Sequence, residues 1–167
     1  MDLEPLLEAI QQHRVEAPNA AECFVSASTL NTGPSLYSNR NPRLDIDFNV
    51  QKLPFAALQV MDPRLVVIAP GACNEKHRHA HESIFIVLSG SADLQIGSQI
   101  APLDQGDIAY VPRWVVHQSR NRSTTEPLKI LAVTDFSLTS AVLGDYDTRT
   151  RLKDGGIDSF STDPLST

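Results

Sequence analysis

The chain has 167 residues, 41% hydrophobic and 20% charged, ample for one packed core and short for two. Fourteen basic against twenty acidic residues leave a net charge of -6 with no Lys/Arg run, which argues against a nucleic-acid partner. No apolar run approaches the roughly 18–20 residues that span a bilayer, Met1-Asp2-Leu3-Glu4-Pro5 lacks the character of a signal peptide, and two cysteines do not make a disulfide framework. A cytoplasmic protein without a membrane partner is therefore expected.

Leu3, Leu6, Leu7 and Ile10 follow helical spacing with Glu4, Glu8 and Gln11 between them, so a short amphipathic helix is predicted over 2–13, ended by Pro18 and Asn19. Residues 29–45 are rich in Asn, Pro, Gly and Ser, which predicts an irregular arm with at most short strands. From about Val50 the texture changes. Short β-rich runs follow at 57–61, 65–69, 84–88, 92–96, 107–111, 115–119 and 128–135, punctuated by turns such as Pro70-Gly71, Ser89-Gly90 and Asp104-Gln105-Gly106. No crossover helix fits between them, which excludes a parallel α/β sheet and leaves an all-β sandwich or barrel. A short helix is predicted over 137–143, capped by Ser137 or Thr139 and stopped by Gly144, and 154–167 reads as a polar tail. The divisions expected are 1–50 for the helix and arm, 51–137 for the barrel, and 138–167 for the C-terminal helix and tail.

Of five histidines, four fall in two short stretches, His77-Arg78-His79-Ala80-His81 and His117. Neutral imidazole is the commonest protein ligand of transition metals. Residues two apart on a strand share a face, so His77 and His79 can aim at one ion while His117 closes the site.

The stretch from Gly71 through His77 and His79 to Gly90 resembles the first signature of the cupin family, G-x5-H-x-H-x3,4-E-x6-G. Gly106, Pro112, His117 and Asn121 likewise match fixed positions of the second signature, G-x5-P-x-G-x2-H-x3-N. The fifteen residues between, 91–105, fit the short spacing of small RmlC-like cupins. The resemblance implies an all-β, double-stranded β-helix (jelly-roll) barrel holding one divalent metal on His77, His79 and His117. Fe(II) is the first expectation for that metal, with Mn, Ni, Cu or Zn as alternatives.

The family's usual glutamate ligand falls on Ser83. Glu82 is one residue early, and a one-residue shift on a strand turns a side chain to the other face. Three neutral histidines with open positions then resemble the centres of thiol dioxygenases and some diketone-cleaving cupins. His81 and Glu82 are candidates for proton relay. Ser83 and Phe85, of like parity, are candidates for the substrate pocket, with Trp114, which stands where the second signature has glycine, and Arg113, whose forked donors suit an anion. Arg78 has the opposite parity and reads as solvated, Asn121 as structural, and Cys73 as a buried inert thiol.

The leading function is a non-haem iron oxygenase acting on a small organic molecule with dioxygen. The alternatives are a non-catalytic binding or sensing cupin and a metal-assisted isomerase or lyase, against which the loss of the glutamate argues mildly. The long arm, 14–50, suggests a homodimer through arm exchange, or a lid over the barrel mouth.

Overall fold

The computed structural model describes residues 19–55, 58 and 60–143. The helix predicted over 2–13, Gly144 and the tail at 154–167 lie outside those residues. Nine strands follow in order among the described residues: β1 (Ser35–Asn41), β2 (Ile46–Lys52), β3 (Asp62–Ile68), β4 (Ser83–Ser89), β5 (Ala92–Ile96), β6 (Gln99–Leu103), β7 (Ile108–Val111), β8 (His117–Asn121) and β9 (Leu128–Thr134). A helix, α1 (Phe136–Leu143), closes the series.

All strand pairings are antiparallel. One sheet has the order β1-β2-β3-β9-β4-β7 and the other β6-β5-β8. Their inner faces share one core, with Phe48, Ile68, Val87 and Ile130 from the larger sheet and Ala92, Leu94 and Leu103 from the smaller. Strand periodicity decides who enters it: Ser83, Phe85 and Val87 are buried, whereas Ile84 between them is exposed. Each large apolar side chain sealed in this way contributes roughly 1.5–3 kcal/mol. This is the jelly-roll barrel implied by the family resemblance.

The structure departs from the sequence reading at the edges. The supposed irregular arm at 29–45 contains a seven-residue strand, β1, which pairs with β2 just after it and extends the large sheet. The boundary expected at residue 50 therefore falls inside β2, and that at 137 inside α1. Asn and Ser have low strand propensity, but a ladder with β2 satisfies the backbone of β1 regardless of its side chains. Of the run at 57–61, Leu58, Val60 and Met61 are described and lie in no strand. Strand β6 was missed because Pro102 interrupts it; β6 pairs only with β5, and an edge strand tolerates proline. The α1 helix begins one residue earlier than predicted, with the Asp135 carbonyl accepting from the amide of Thr139 at 3.0 Å in place of a Ser137 or Thr139 cap.

Gly90, which closes the first motif, turns β4 into β5 at φ +85, and a Cβ there would stand 3.3 Å from the Pro127 carbonyl oxygen. Among the described residues no helix is long and apolar enough to cross a membrane.

Candidate metal centre

The segment between β3 and β4 carries three of the histidines and is held by an irregular ladder against β8. The Asn121 amide donates to Ala72 O (2.8 Å) and the Asn74 amide to Ser119 O (3.1 Å), while His77 and His117 exchange both backbone bonds at 3.2 and 2.9 Å. The register slips by one residue between the Asn74–Ser119 pair and the His77–His117 pair, as in a β-bulge. Side chains fill the gap: Asn74 Oδ1 accepts from the Ser119 amide (2.7 Å), and Gln118 Nε2 donates to Asn74 O (2.7 Å). The slip sets His77 opposite His117, with ring centroids 4.3 Å apart. His77 thus belongs to an isolated bridge rather than to a continuous strand, yet Arg78 still points outward between its neighbours.

One ligand nitrogen from each of His77, His79 and His117 lies within 4.8 Å of the other two. Each ring is also oriented from behind. Nδ1 of His77 meets Glu75 O at 2.8 Å, Nδ1 of His79 meets His81 O at 2.8 Å, and Nδ1 of His117 meets Val115 O at 3.0 Å. A carbonyl only accepts, so in all three rings Nδ1 carries the proton and Nε2 the lone pair. That is the tautomer a metal-binding imidazole needs, secured by the outer hydrogen bond that commonly backs such ligands. Burial, and then the neighbouring His77, push the pKa of His117 down to about 3, so its ring is neutral at ordinary pH. Its Nε2 is buried and has no hydrogen-bond partner among the described residues. An orphaned buried acceptor costs roughly 1–3 kcal/mol, and a cation placed among the three rings would remove that cost. The donor set therefore fits a divalent transition metal.

Ser83 is buried and lines the cavity beside these rings, its Oγ likewise without a partner among the described residues. Phe85 lines it too, with its ring 6.0 Å from that of His117. His81 is buried at the cavity wall but is not one of the three converging rings; it stacks on His79 (centroids 3.6 Å, 9° between planes) and meets the edge of Phe136 at 5.5 Å. Burial and the adjacent His79 and Arg64 lower its pKa to about 2.

Glu82, Arg113 and Trp114 are not part of the cavity. Glu82 stands on the outer face, where Tyr110 Oη donates to it at 3.0 Å and Arg113 Nε lies 3.6 Å away. Arg113 donates to Asp135 Oδ2 (2.5 Å) and Ala80 O (2.6 Å), so its fork is spent on protein groups rather than on a ligand. Trp114 is half exposed. Its backbone adopts φ +60, the left-handed conformation natural to the glycine it replaces, and its amide donates to His79 O at 2.8 Å.

Residues 64–134 match the family model described as a cupin domain. Residues 64–134 thus carry a cupin domain, as the two signatures imply. A curated relative, the uncharacterised protein SCO3923 of Streptomyces coelicolor, is 28% identical over 81 residues, covering 48% of this chain and 75% of that one. Among solved structures, the chain is similar to a proposed sugar phosphate isomerase of Acidithiobacillus ferrooxidans (24% identity, TM-score 0.56, covering 70% of this chain and 76% of that one). Salicylate 1,2-dioxygenase of Pseudaminobacter salicylatoxidans matches at 15% identity and TM-score 0.52, over 57% of this chain and 28% of that one. The plu4264 protein of Photorhabdus luminescens matches at 18% identity and TM-score 0.50, over 65% and 96%. Such identities show a shared fold alone.

The far wall of the cavity comes from residues the sequence reading did not single out, Tyr37 on β1, Arg64 on β3, Thr134 on β9 and Asn74 in the ligand loop, and from Glu75, which the sequence offered with Glu82 as an alternative metal ligand and which is not among the three converging residues. Tyr37 Oη donates to Glu75 Oε1 at 2.5 Å and Asn39 Nδ2 donates to the same oxygen, so β1 grips the residue whose carbonyl orients His77. For Arg64 a signal existed, since it is in phase with Val66 and Ile68 on β3. Cys73 is a packed thiol as expected; burial raises its pKa, and its Sγ donates towards the carbonyls of Leu44 and Asp45. Asn121 is structural, its Nδ2 donating to the carbonyls of Ile68, Ala69 and Glu126.

Proposed function

We propose that this cupin is a non-haem iron oxygenase acting on a small organic molecule at a centre built from His77, His79 and His117. The observation that carries this reading is the set of three imidazoles with Nδ1 bound to a carbonyl, gathered around a buried His117 Nε2 that lacks a protein partner. Ser83 supplies no carboxylate, so the residues that would hold the ion are imidazoles alone, and the full charge of the ion would be directed at whatever enters. Bound there, Fe(II) supplies the dioxygen chemistry.

The protein's own contribution is arrangement. Phe85, Val66 and Phe48 form an apolar wall that limits water beside the rings. The carbonyls of Glu75, His81 and Val115 hold ring orientation, and the stack of His81 on His79 stiffens the middle ligand. Glu82, directed to the outer face, has no place in a proton relay here.

The test is metal analysis of protein purified with and without air, followed by oxygen uptake against thiols, diketones and catechols. Iron near one equivalent with substrate-dependent uptake is expected. Tightly held zinc or nickel, with no uptake after exchange for iron, would overturn the assignment.

A further inference from the structure

Arg64 pairs with Ala132 of β9, which in turn pairs with Phe85 of β4. Residues directly opposite across antiparallel strands share a face. Phe85 and Ala132 line the cavity, so Arg64 also projects into it from the third strand of the row. Its side chain is only 16% exposed. A guanidinium in such a place needs support, and it has two kinds. Nε and Nη2 donate to Asp62 Oδ2 at 2.9 and 2.5 Å, and the guanidinium carbon lies 4.6 Å over the ring of Phe136. Both bonds leave Nη1 out; among the described residues nothing accepts from it.

Among the described residues, the carboxylate and guanidinium groups lining this cavity are those of Glu75 and Arg64. Glu75 is engaged at Oε1 by Tyr37 and Asn39. The remaining walls are imidazoles, the Asn74 amide, hydroxyls and apolar side chains. The cavity measures about 80 Å³. At roughly 10–15 Å³ per water in that measure, it has room for about five to eight waters, or a ligand of similar bulk.

We propose that the ligand of this cupin is a small organic carboxylate whose carboxylate group is received by Arg64 while its other donor atoms face the three histidines. This rests on the metal-centre reading above and adds the substrate class to it. Arg64 takes the anion-binding role that the sequence alone suggested for Arg113. Asp62 and Phe136 preorient the guanidinium, so that binding orders no long side chain. Rotating the ligand to present a neutral group would leave Nη1 of Arg64 without a charged acceptor in a half-dry wall, and this sets the specificity.

The experiment compares lactate with lactamide, probes of equal size that differ in charge, by calorimetric titration of the full chain loaded with Co(II), whose visible bands report the three-histidine centre. A charge-assisted hydrogen bond predicts that wild-type protein favours lactate over lactamide by about tenfold more than an Asp62→Asn/Arg64→Gln variant does, with Arg64→Lys between them. The double variant removes both charges, so no unpaired aspartate is left to repel the anion, and its cobalt bands verify a folded centre. An unchanged lactate preference in the double variant, with cobalt still bound, overturns the Arg64 assignment and leaves the metal reading standing. Cobalt that does not bind wild-type protein overturns the metal reading instead. The same titrations on metal-free protein then decide Arg64: a preference that the double variant abolishes supports it, and no preference sinks it.

Discussion

The two faces of the stretch around residues 77–83 are built from neighbouring residues and have opposite chemistry. Inward lie His77, His79, His81 and Ser83, largely dry, with the rings of His77 and His79 backed by carbonyls. Outward lie Arg78 and Glu82, the latter joined with Tyr110, Arg113 and Asp135 in a charged, partly solvated network. Each face contains titratable residues that look catalytic in a sequence. What separates them is a single residue step, because the chain turns each successive side chain to the other side. A neutral face with unpartnered acceptors is prepared for a cation, whereas a face whose charges already answer one another is prepared for nothing further.

The strongest way to break this comparison is to remove one group from each face. His117→Ala should weaken Co(II) or Fe(II) binding by about 100-fold or more, beyond the 10–100-fold typical of losing an outer-shell partner. Glu82→Gln should leave metal affinity within about twofold. Competition against a chromophoric chelator measures both. A large loss in Glu82→Gln would place that carboxylate at the metal and collapse the distinction between the faces.

Acid distinguishes the faces next. The inner rings titrate at about 3 (His117) and about 2 (His81), against an ordinary histidine value of 6.5. Above pH 6.5 both are neutral whether the chain is folded or not, and the depressed pKa values cost nothing. Below it the unfolded chain takes up protons that the folded chain refuses, so metal-free protein loses stability as pH falls from 6.5 towards 3. Each ring contributes up to about 1.4 kcal/mol per pH unit. On the outer face burial opposes ionisation of Asp135, but the bonds from Arg113 and the Glu82 amide hold its carboxyl below 3.8. Its contribution is present above 3.8 and is lost only as pH falls below that value. Urea midpoints of metal-free protein between pH 7.5 and 4.5 should therefore decline already in the histidine range, and His81→Gln should flatten the slope. A flat profile across that interval would mean that the inner rings are not held neutral.

The sequence was most legible where spacing and parity carry the information. His77, His79 and His117 came from the two motifs, and Ser83 and Phe85 from counting in steps of two along β4. Their backing carbonyls could not be read, since every residue has one and only the bulge beside Asn74 decides which ring it meets. Tyr37 and Asn39 stayed hidden for another reason. Ser35–Asn41 lacks the β-branched residues that mark strands, and its place in the sheet depends on pairing with β2, a non-local event. Arg113 misled because its side chain type suits anions, while its position beside Asp135 and the Ala80 carbonyl leaves it none to bind.

A smaller effect belongs to the outer network itself. Asp135 accepts from the Glu82 amide at 2.8 Å and from Arg113 at 2.5 Å, joining the start of α1 to the end of the ligand loop. Its side chain is 25% exposed and that of Arg113 42%, so water replaces much of what is lost. Asp135→Ala should cost about 1 kcal/mol. Chemical denaturation would show it, with metal affinity unchanged because no ligand ring depends on this carboxylate.

The smallest effect is also the most diagnostic of how the loop is held. Trp114 occupies φ +60, where an L-residue pays roughly 1–2 kcal/mol relative to its relaxed backbone. Glycine there would escape that strain but bring a more disordered unfolded chain, a penalty of about 0.5–1 kcal/mol. The indole is half exposed and outside the cavity, so little packing is forfeited. Trp114→Gly should therefore be neutral to slightly stabilising, by at most about 1 kcal/mol, or a rise of about 2–4 °C in Tm. The amide bond to His79 O survives the change, since it belongs to the backbone, and the affinity for Co(II) should be unaltered. A marked loss of stability, or a loss of ligand affinity at constant metal content, would instead make the indole a wall of the site and extend the inner face to a residue that now lies beyond it.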